Sequence, residues 1–329
     1  MTTTLQDDLL QIDTALEIDR IASAIGEQVR HQRRRGVVLG LSGGIDSTVC
    51  AALAVRALGA NRVIGLFMPE EDSSPDSLDL GRVVADWLGI RAFLENMTPL
   101  LEASRCYQRR DEAIRTVVPE YGEGYKSKIV LPAVAQSAYN IFSVVVESPA
   151  GHQKRERLPL DAYLAIVAAT NFKQRVRKMM EYHYADRFQY AVLGTPNRLE
   201  YDQGFFVKNG DGAADLKPIA HLYKTQVYRL AEALGAPEEI RRRPPTTDTY
   251  SLAQSQEEFF FALPYQQLDV CLFGFNHGIS AEAIAPRVGL TTEAVEHVYK
   301  DIQSKRATTS YLHEPPLLVE PVLLPHGRD

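Results

Sequence analysis

The residues that most narrowly define a chemistry are Ser42, Gly43, Gly44, Ile45, Asp46 and Ser47. They stand where a continuous apolar run, GVVLGL at 36–41, gives way to helical spacing at 46–59. Adjacent glycines admit backbone angles that other residues resist, so successive amides can point into one concavity at a helix N-terminus, and that geometry binds phosphate. Ser42 and Ser47 add hydroxyl donors. Asp46, placed beside phosphates, is either a magnesium ligand or a helix-start residue. No lysine follows the second glycine, so this is not the GxxxxGK[ST] loop of the common ATPases. The plain alternative, a tight turn capped by serines, accounts less well for all six residues standing between a buried strand and a helix.

Such a loop needs a parallel sheet to hold it. Apolar runs at 36–41, 62–68 and 90–95 alternate with helical spacing at 46–59 and 77–88. That alternation predicts right-handed βαβ units and a doubly wound α/β architecture. An amphipathic helix at 17–35, with Ile18, Ile21, Ala22, Ile25 and Val29 on one face, precedes them. The alternation breaks off between about 99 and 165, where 142–158 reads as a hairpin around Pro149, Ala150 and Gly151, and we treat this stretch as an insertion. It resumes with a helix at 172–187, strands at 190–194 and 216–219, and a helix at 223–234. Residues 237–312 read as all helical, and 313–329, with Pro315, Pro316, Pro321 and Pro325, as an extended tail. A loop at 42–47 and candidate catalytic residues beyond 170 must share one cleft, so a single domain over 1–329 is expected.

Composition narrows the function further. The chain has 329 residues, with 36 basic and 42 acidic ones, and its net charge of −6 argues against a protein whose main task is coating nucleic acid. Cys50, Cys106 and Cys271 are too far apart for a disulfide framework or a metal-spaced pair, so a reducing, cytoplasmic location is expected. Residues 1–12 lack the pattern of a secretory signal. The longest uncharged run, 129–146, is interrupted by Pro132, Gln136, Ser137, Asn140 and Ser143 and reads as soluble structure, not a membrane span. The stretch 280–303 looks superficially like a helix-turn-helix. Glu293, Glu296 and Asp301 against Lys300 make a packing unit the better reading than a nucleic-acid reader.

SGGIDS at 42–47 resembles the loop of the ATP pyrophosphatases, which split ATP to AMP and pyrophosphate. With NFKQRVR at 171–177, GTPNRLE at 194–200, GFFVKNGDGAAD at 204–215 and LYKTQV at 222–227, the chain resembles the NAD synthetase family, ammonia-dependent type. The resemblance implies a Rossmann-like parallel sheet of the adenine nucleotide alpha hydrolase-like kind. It also implies a reaction in which ATP adenylates the carboxylate of deamido-NAD and ammonia displaces AMP. By the same resemblance, residues 42–47 hold the pyrophosphate part of ATP, Thr195 contacts the ATP site, and Asp46, Glu200 and Thr246 hold Mg2+. Lys224 neutralises phosphate charge, and Lys208 is a second cation for that role or for the substrate. Asp211 orients ammonia and accepts its proton; a simple turn residue is the other reading of the GDG sequence. Asn171 and Arg175 hold the dinucleotide, Asp215 lies at its nicotinate end, and Asp46, Lys224 and Asp211 are the catalytic candidates. A symmetric homodimer is implied as well.

Some features depart from the family pattern. SQEEFFFALP at 255–264 and MPEEDSSPDS at 68–77 stand where the family often has an acidic Leu-Gly segment and nucleotide-contacting arginine and glutamines. Lys173, Arg175 and Arg177 crowd one helix, either as a solvated face or as a polyphosphate contact. Ser304 replaces the histidine of a basic His-Lys-Arg that closes over substrate in the family. The insertion is an extra lid, a dimer contact or a remodelled acceptor site. No room remains for a glutaminase domain, so free ammonia or a glutaminase on a separate polypeptide is implied. The rival readings are an amide synthetase for another carboxylate, a tRNA-modifying ATP pyrophosphatase, for which sulfur-handling cysteines or a basic RNA domain are missing, and a non-catalytic nucleotide binder.

Overall fold

β1 (Val37–Gly40) is buried on both faces, and its short apolar run places it in the interior of a parallel sheet. The computed structural model describes residues 9–130, 142–244, 250–252, 260–261 and 263–322. α1 (Thr14–His31) precedes β1, and α2 (Ile45–Leu58) and α3 (Pro75–Leu88) alternate with β2 (Val63–Phe67) and β3 (Arg91–Leu94). The chain then forms α4 (Thr98–Ala103), α5 (Cys106–Arg115), β4 (Lys126–Val130), β5 (Ser143–Glu147) and β6 (Gln153–Arg157). α6 (Leu160–Phe188) leads back to β7 (Ala191–Val192), followed by α7 (Arg198–Gln203) and α8 (Lys224–Ala233). Last come α9 (Glu238–Arg242), α10 (Tyr265–Asn276), α11 (Ala281–Val288) and α12 (Thr292–Thr309).

The main sheet has the order β3-β2-β1-β7 and is parallel throughout. α1, α2, α3 and α8 cover one face with Ile25, Val49, Leu53, Val84 and Leu230, while α6 covers the other with Tyr184 and Ala185. The chain therefore reverses direction across the sheet between β1 and β7. The carboxyl ends of these two neighbours diverge into separate loops, the crevice in which open α/β sheets bind ligands. The expected strand at 216–219 is reduced to one parallel bridge, Leu193 with Leu216.

The hairpin at 142–158 is present as β5 and β6, and β4 joins it to make an antiparallel sheet of order β4-β5-β6. KSKIV carries two lysines in five residues, a weak strand signal on its own, and becomes a strand by pairing with the apolar SVVVE of β5. α6 is a single helix of 29 residues and starts twelve residues before the expected one at 172. Its first half packs on the insertion through Ala162 and Ile166, and its second half on the main sheet. The helical C-terminal region forms its own core around Leu268, Leu272, Ile284, Val295 and Ile302. No helix among the described residues is long and apolar enough to cross a membrane.

Candidate active site

The loop after β1 turns on Gly43, whose φ of +69° is left-handed and whose missing Cβ would stand 2.5 Å from Leu80 Cβ. Gly44 then caps α2. Its amide donates to Ser42 Oγ at 3.3 Å, and Ser47 Oγ donates to the Gly44 carbonyl at 3.1 Å. Arg243 steadies the loop from outside, with Nη1 on the Ser42 carbonyl and Nη2 on Ser77 Oγ.

Asp46, in the first turn of α2, meets two partners from distant segments. Lys224 Nζ pairs with Oδ2, and Asn197 Nδ2 donates to Oδ1 at 3.2 Å. Burial works against charge on Lys224, but Asp46 and Glu200 outweigh it and hold the ammonium above the ordinary lysine range. Asn197 and Glu200 form a capping box at the start of α7, the Glu200 carboxylate accepting from the Asn197 amide at 3.0 Å. Lys224 itself opens α8, where buried Asp269 of α10 accepts the amides of Lys224 at 3.2 Å and Thr225 at 2.7 Å.

Burial pushes Asp269 up to about 7, although those amides and the Lys224 charge pull the other way. Its folded value thus lies above the ordinary aspartate value, near 3.9 in a free chain. The folded protein holds the extra proton in the window between. Stability from this group is complete below about pH 4 and is lost as pH rises through 7. Asp269→Asn is expected to remove that dependence, which amounts to at most about 1.4 kcal/mol per pH unit inside the window. Urea midpoints measured at pH 5 and 7.5 check it, and a parent protein whose stability relative to the asparagine variant does not change between them would refute it.

A cleft of about 600 Å³ opens at the crevice between β1 and β7. Ser42 and Ser47 line it from the loop, Thr195 and Glu200 from the segment after β7, and Lys208 and Asp211 from the turn that follows α7. One wall is α6: Tyr163, Val167, Asn171, Gln174, Arg175, Lys178 and Glu181 recur at three- and four-residue steps, so one face of the helix looks into the cleft. Asp211 Oδ1 accepts the Val207 amide at 2.8 Å, and burial nevertheless raises Asp211 above its ordinary range.

A family model described as NAD synthase matches residues 17–120 and 136–309. The chain belongs to the NAD synthase family. The NH(3)-dependent NAD(+) synthetase of Rhizobium meliloti (strain 1021) is 61% identical over 316 residues, covering 96% of this chain and 95% of that one. Among solved structures, the NH3-dependent NAD synthetase of Campylobacter jejuni superposes with a TM-score of 0.62 at 21% identity, covering 94% of this chain and all of that one. The NMN synthetase of Francisella tularensis does so with 0.63 at 21% identity, over 96% of this chain and all of that one. At that identity the two structures speak to the fold alone.

Of the residues singled out by the NAD synthase resemblance, Ser42, Ser47, Asn171, Arg175, Thr195, Glu200, Lys208 and Asp211 line the cleft, with Asp46 and Lys224 paired beside it. Gly43, Gly44 and Ile45 shape the loop without being part of the lining. Lys208 Nζ donates to the Tyr311 carbonyl at 2.7 Å, so it ties the segment after α12 to the cleft. Asp215 is not among the lining residues: it is exposed, and its Oδ2 accepts the Val192 amide at 2.7 Å. Thr246 lies outside the described residues, as does most of 255–264, of which Phe260 lines the cleft.

Lys173 alone departs from both readings of the 173–178 cluster, neither facing solvent nor meeting the cleft, whereas Arg175, Arg177 and Lys178 line the cleft. It is fully buried, with Nζ 3.0 Å from Glu70 Oε1 and 2.5 Å from Asp72 Oδ2. The departure at 68–77 thereby acquires a structural reason in part: Glu70 and Asp72 are internal counterions, while Glu71 and Asp76 are exposed. Lys305 and Arg306 are likewise held internally, Lys305 by Asp301 and the Phe260 carbonyl and Arg306 by Asp202 in a two-pronged pair. Sequence reading missed Gln174, Lys178 and Glu181 as cleft residues. Counting the three- and four-residue steps from Asn171 and Arg175 would have found them.

Proposed function

We infer that this chain amidates deamido-NAD to NAD with ATP and ammonia, as an ammonia-dependent ligase of the NAD synthase family. The observation that carries the reading is convergence. A phosphate loop, the polar face of α6 and the Asp211 turn, far apart in sequence, meet at the crevice of a parallel sheet. A carboxylate oxygen of deamido-NAD attacks the α-phosphorus of ATP and pyrophosphate leaves. Ammonia then attacks the carbonyl carbon, AMP leaves, and the nitrogen loses a proton.

We assign the loop amides and the hydroxyls of Ser42 and Ser47 to the departing pyrophosphate, with Thr195 opposite them. Lys224, kept charged, offsets the negative charge that builds there. Asp46 and Glu200 act on the same lysine and on the Cys50 thiol, so the two carboxylates stand near each other beside the loop. One or two carboxylates completed by phosphate oxygens and water suit Mg2+. We propose that they hold it, with Thr246, and that it supplies charge neutralisation to the polyphosphate when bound. Asn171 and Arg175 on the α6 wall, with Lys208, are assigned to the dinucleotide. Asp215, outside the cleft lining and tied through Oδ2 to the Val192 amide, would reach the dinucleotide only through its other oxygen. Asp211 is assigned to ammonia: a buried carboxylate raised above its ordinary range is a better proton acceptor than an exposed one.

A cytoplasmic homodimer using free ammonia is the corresponding cellular form. All three cysteines are free and buried, and burial raises their thiols, which suits packing and not nucleophilic attack. The test is AMP release from ATP with Mg2+, ammonia and deamido-NAD, in the parent and in Asp211→Asn. AMP formation by the parent and its loss in the variant, by about 10²-fold or more, are expected. AMP formed only with a different carboxylate would leave the ATP site standing and overturn the acceptor.

A further inference from the structure

Lys178 and Glu181 form an ion pair of 2.5 Å on the cleft face of α6, with side chains only 6% and 9% exposed. No step assigned above uses either residue. Glu181 lies at the floor of the cleft: its Oε1 would be 3.3 Å from a Cβ on Gly40, the last residue of β1. Burying two charges is costly, and a well-packed apolar pair at the same place is often at least as stable. A pair retained in a reactive cleft therefore needs a reason other than stability.

Asp211 supplies one. It lies half-buried in the same cleft, and the charges around it come from two elements. Lys178 and Arg177 on α6 favour its ionised form. Lys217, from the segment after β7, also feels its charge, and Glu181 is its like-charged neighbour. Two carboxylates that feel each other's charge ionise together less readily, and a cation beside them offsets that repulsion. Lys178 is bonded to one of these carboxylates and favours the charge of the other.

We propose that the Lys178–Glu181 pair is a positioning element for the amidation step: Glu181 anchors Lys178 so that its ammonium keeps Asp211 ionised and free to take the proton of attacking ammonia. The proposal rests on the reading of Asp211 as that acceptor. The pair touches neither the phosphate loop nor Lys224 in its hydrogen bonds, so adenylation should not depend on it.

The experiment follows kcat against pH for AMP release at saturating ATP, deamido-NAD and ammonia, and in parallel follows ATP–pyrophosphate exchange without ammonia. In Lys178→Met the acidic limb moves up by about one pH unit, because Asp211 loses its cation. In Glu181→Gln the limb moves down, because Lys178 has lost its other carboxylate and serves Asp211 alone. Lys178→Arg keeps the limb near its parental place. Exchange persists in all three. Opposite shifts from two partners of one ion pair are not produced by loosened packing. If Lys178→Met does not fold, Lys178→Gln, which keeps a donor for Glu181 and loses the charge, carries the test by the same upward shift. Unmoved limbs in the folded variants, or loss of exchange together with amidation, overturn the proposal. If Asp211→Asn amidates at the parental rate, the acceptor reading itself falls. If Asp211→Asn loses amidation while the limbs of the other variants stay fixed, only the role of the pair falls.

Discussion

Lys224→Gln is expected to lower kcat for AMP release by about 10²–10³-fold, the usual cost of removing one preorganised charge donor from a reacting centre. The lysine is buried at the start of α8, paired with Asp46 and within the field of Glu200, and its backbone amide is fixed by Asp269. Its ammonium is therefore already placed and desolvated, so the role proposed for it, offsetting charge on the departing pyrophosphate, needs no reorganisation. Because the two carboxylates hold it above the ordinary lysine range, it stays charged through neutral and mildly alkaline pH. The deficit of the variant should accordingly be the same at pH 7 and pH 9. Glutamine retains a hydrogen-bond donor for Asp46, so the fold should survive. A kcat within a few-fold of the parent would remove Lys224 from the mechanism.

Lys173→Met is expected to destabilise the protein by about 3–5 kcal/mol, the cost of leaving buried charge without its partner. Glu70 is completely buried and would retain the Tyr107 hydroxyl at 2.8 Å and Arg177 at 4.0 Å; Asp72 would retain Arg110. Urea unfolding of the parent, of Lys173→Met and of Lys173→Met with Glu70→Gln checks this. The double variant should recover part of the loss, because it removes a buried charge whose closer cation the first change took away. A single variant as stable as the parent would show that the network is dispensable. The network also links three elements: Tyr107 and Arg110 belong to α5 of the insertion, Lys173 to α6, and Glu70 and Asp72 to the loop after β2. Its loss should loosen the insertion before the main sheet.

These two lysines show what was legible in the sequence and what was not. Lys224 stood in a motif, LYKTQV, that singled it out, and in the structure it pairs with Asp46. Lys173 stood in one too, NFKQRVR, but its partners Glu70 and Asp72 lie about 100 residues away, and nothing local distinguishes a solvated lysine from an internal one. The βαβ alternation was readable because strands buried on both faces give continuous apolar runs, as at Val37–Gly40 and Val63–Phe67. α6 blurred because it serves three surroundings. It buries Ala162 and Ile166 on the insertion and Tyr184 and Ala185 on the sheet, and it gives polar residues to the cleft, so no single apolar stripe runs along it. β4 was missed because its identity depends on β5, a partner that local spacing does not reveal.

α6 has one more consequence. At 1.5 Å per residue its 29 residues make a rod of about 43 Å, and from Tyr163 to Glu181 every cleft contact is set by one angular phase. Substitutions along this axle change single contacts. A one-residue deletion near Leu164 would instead rotate the whole downstream wall by about 100° relative to the insertion, so that Asn171, Arg175 and Lys178 would lose their shared register with it. The helix therefore meters distance as well as lining a site: its length is held fixed by two sheets that must agree on where it points.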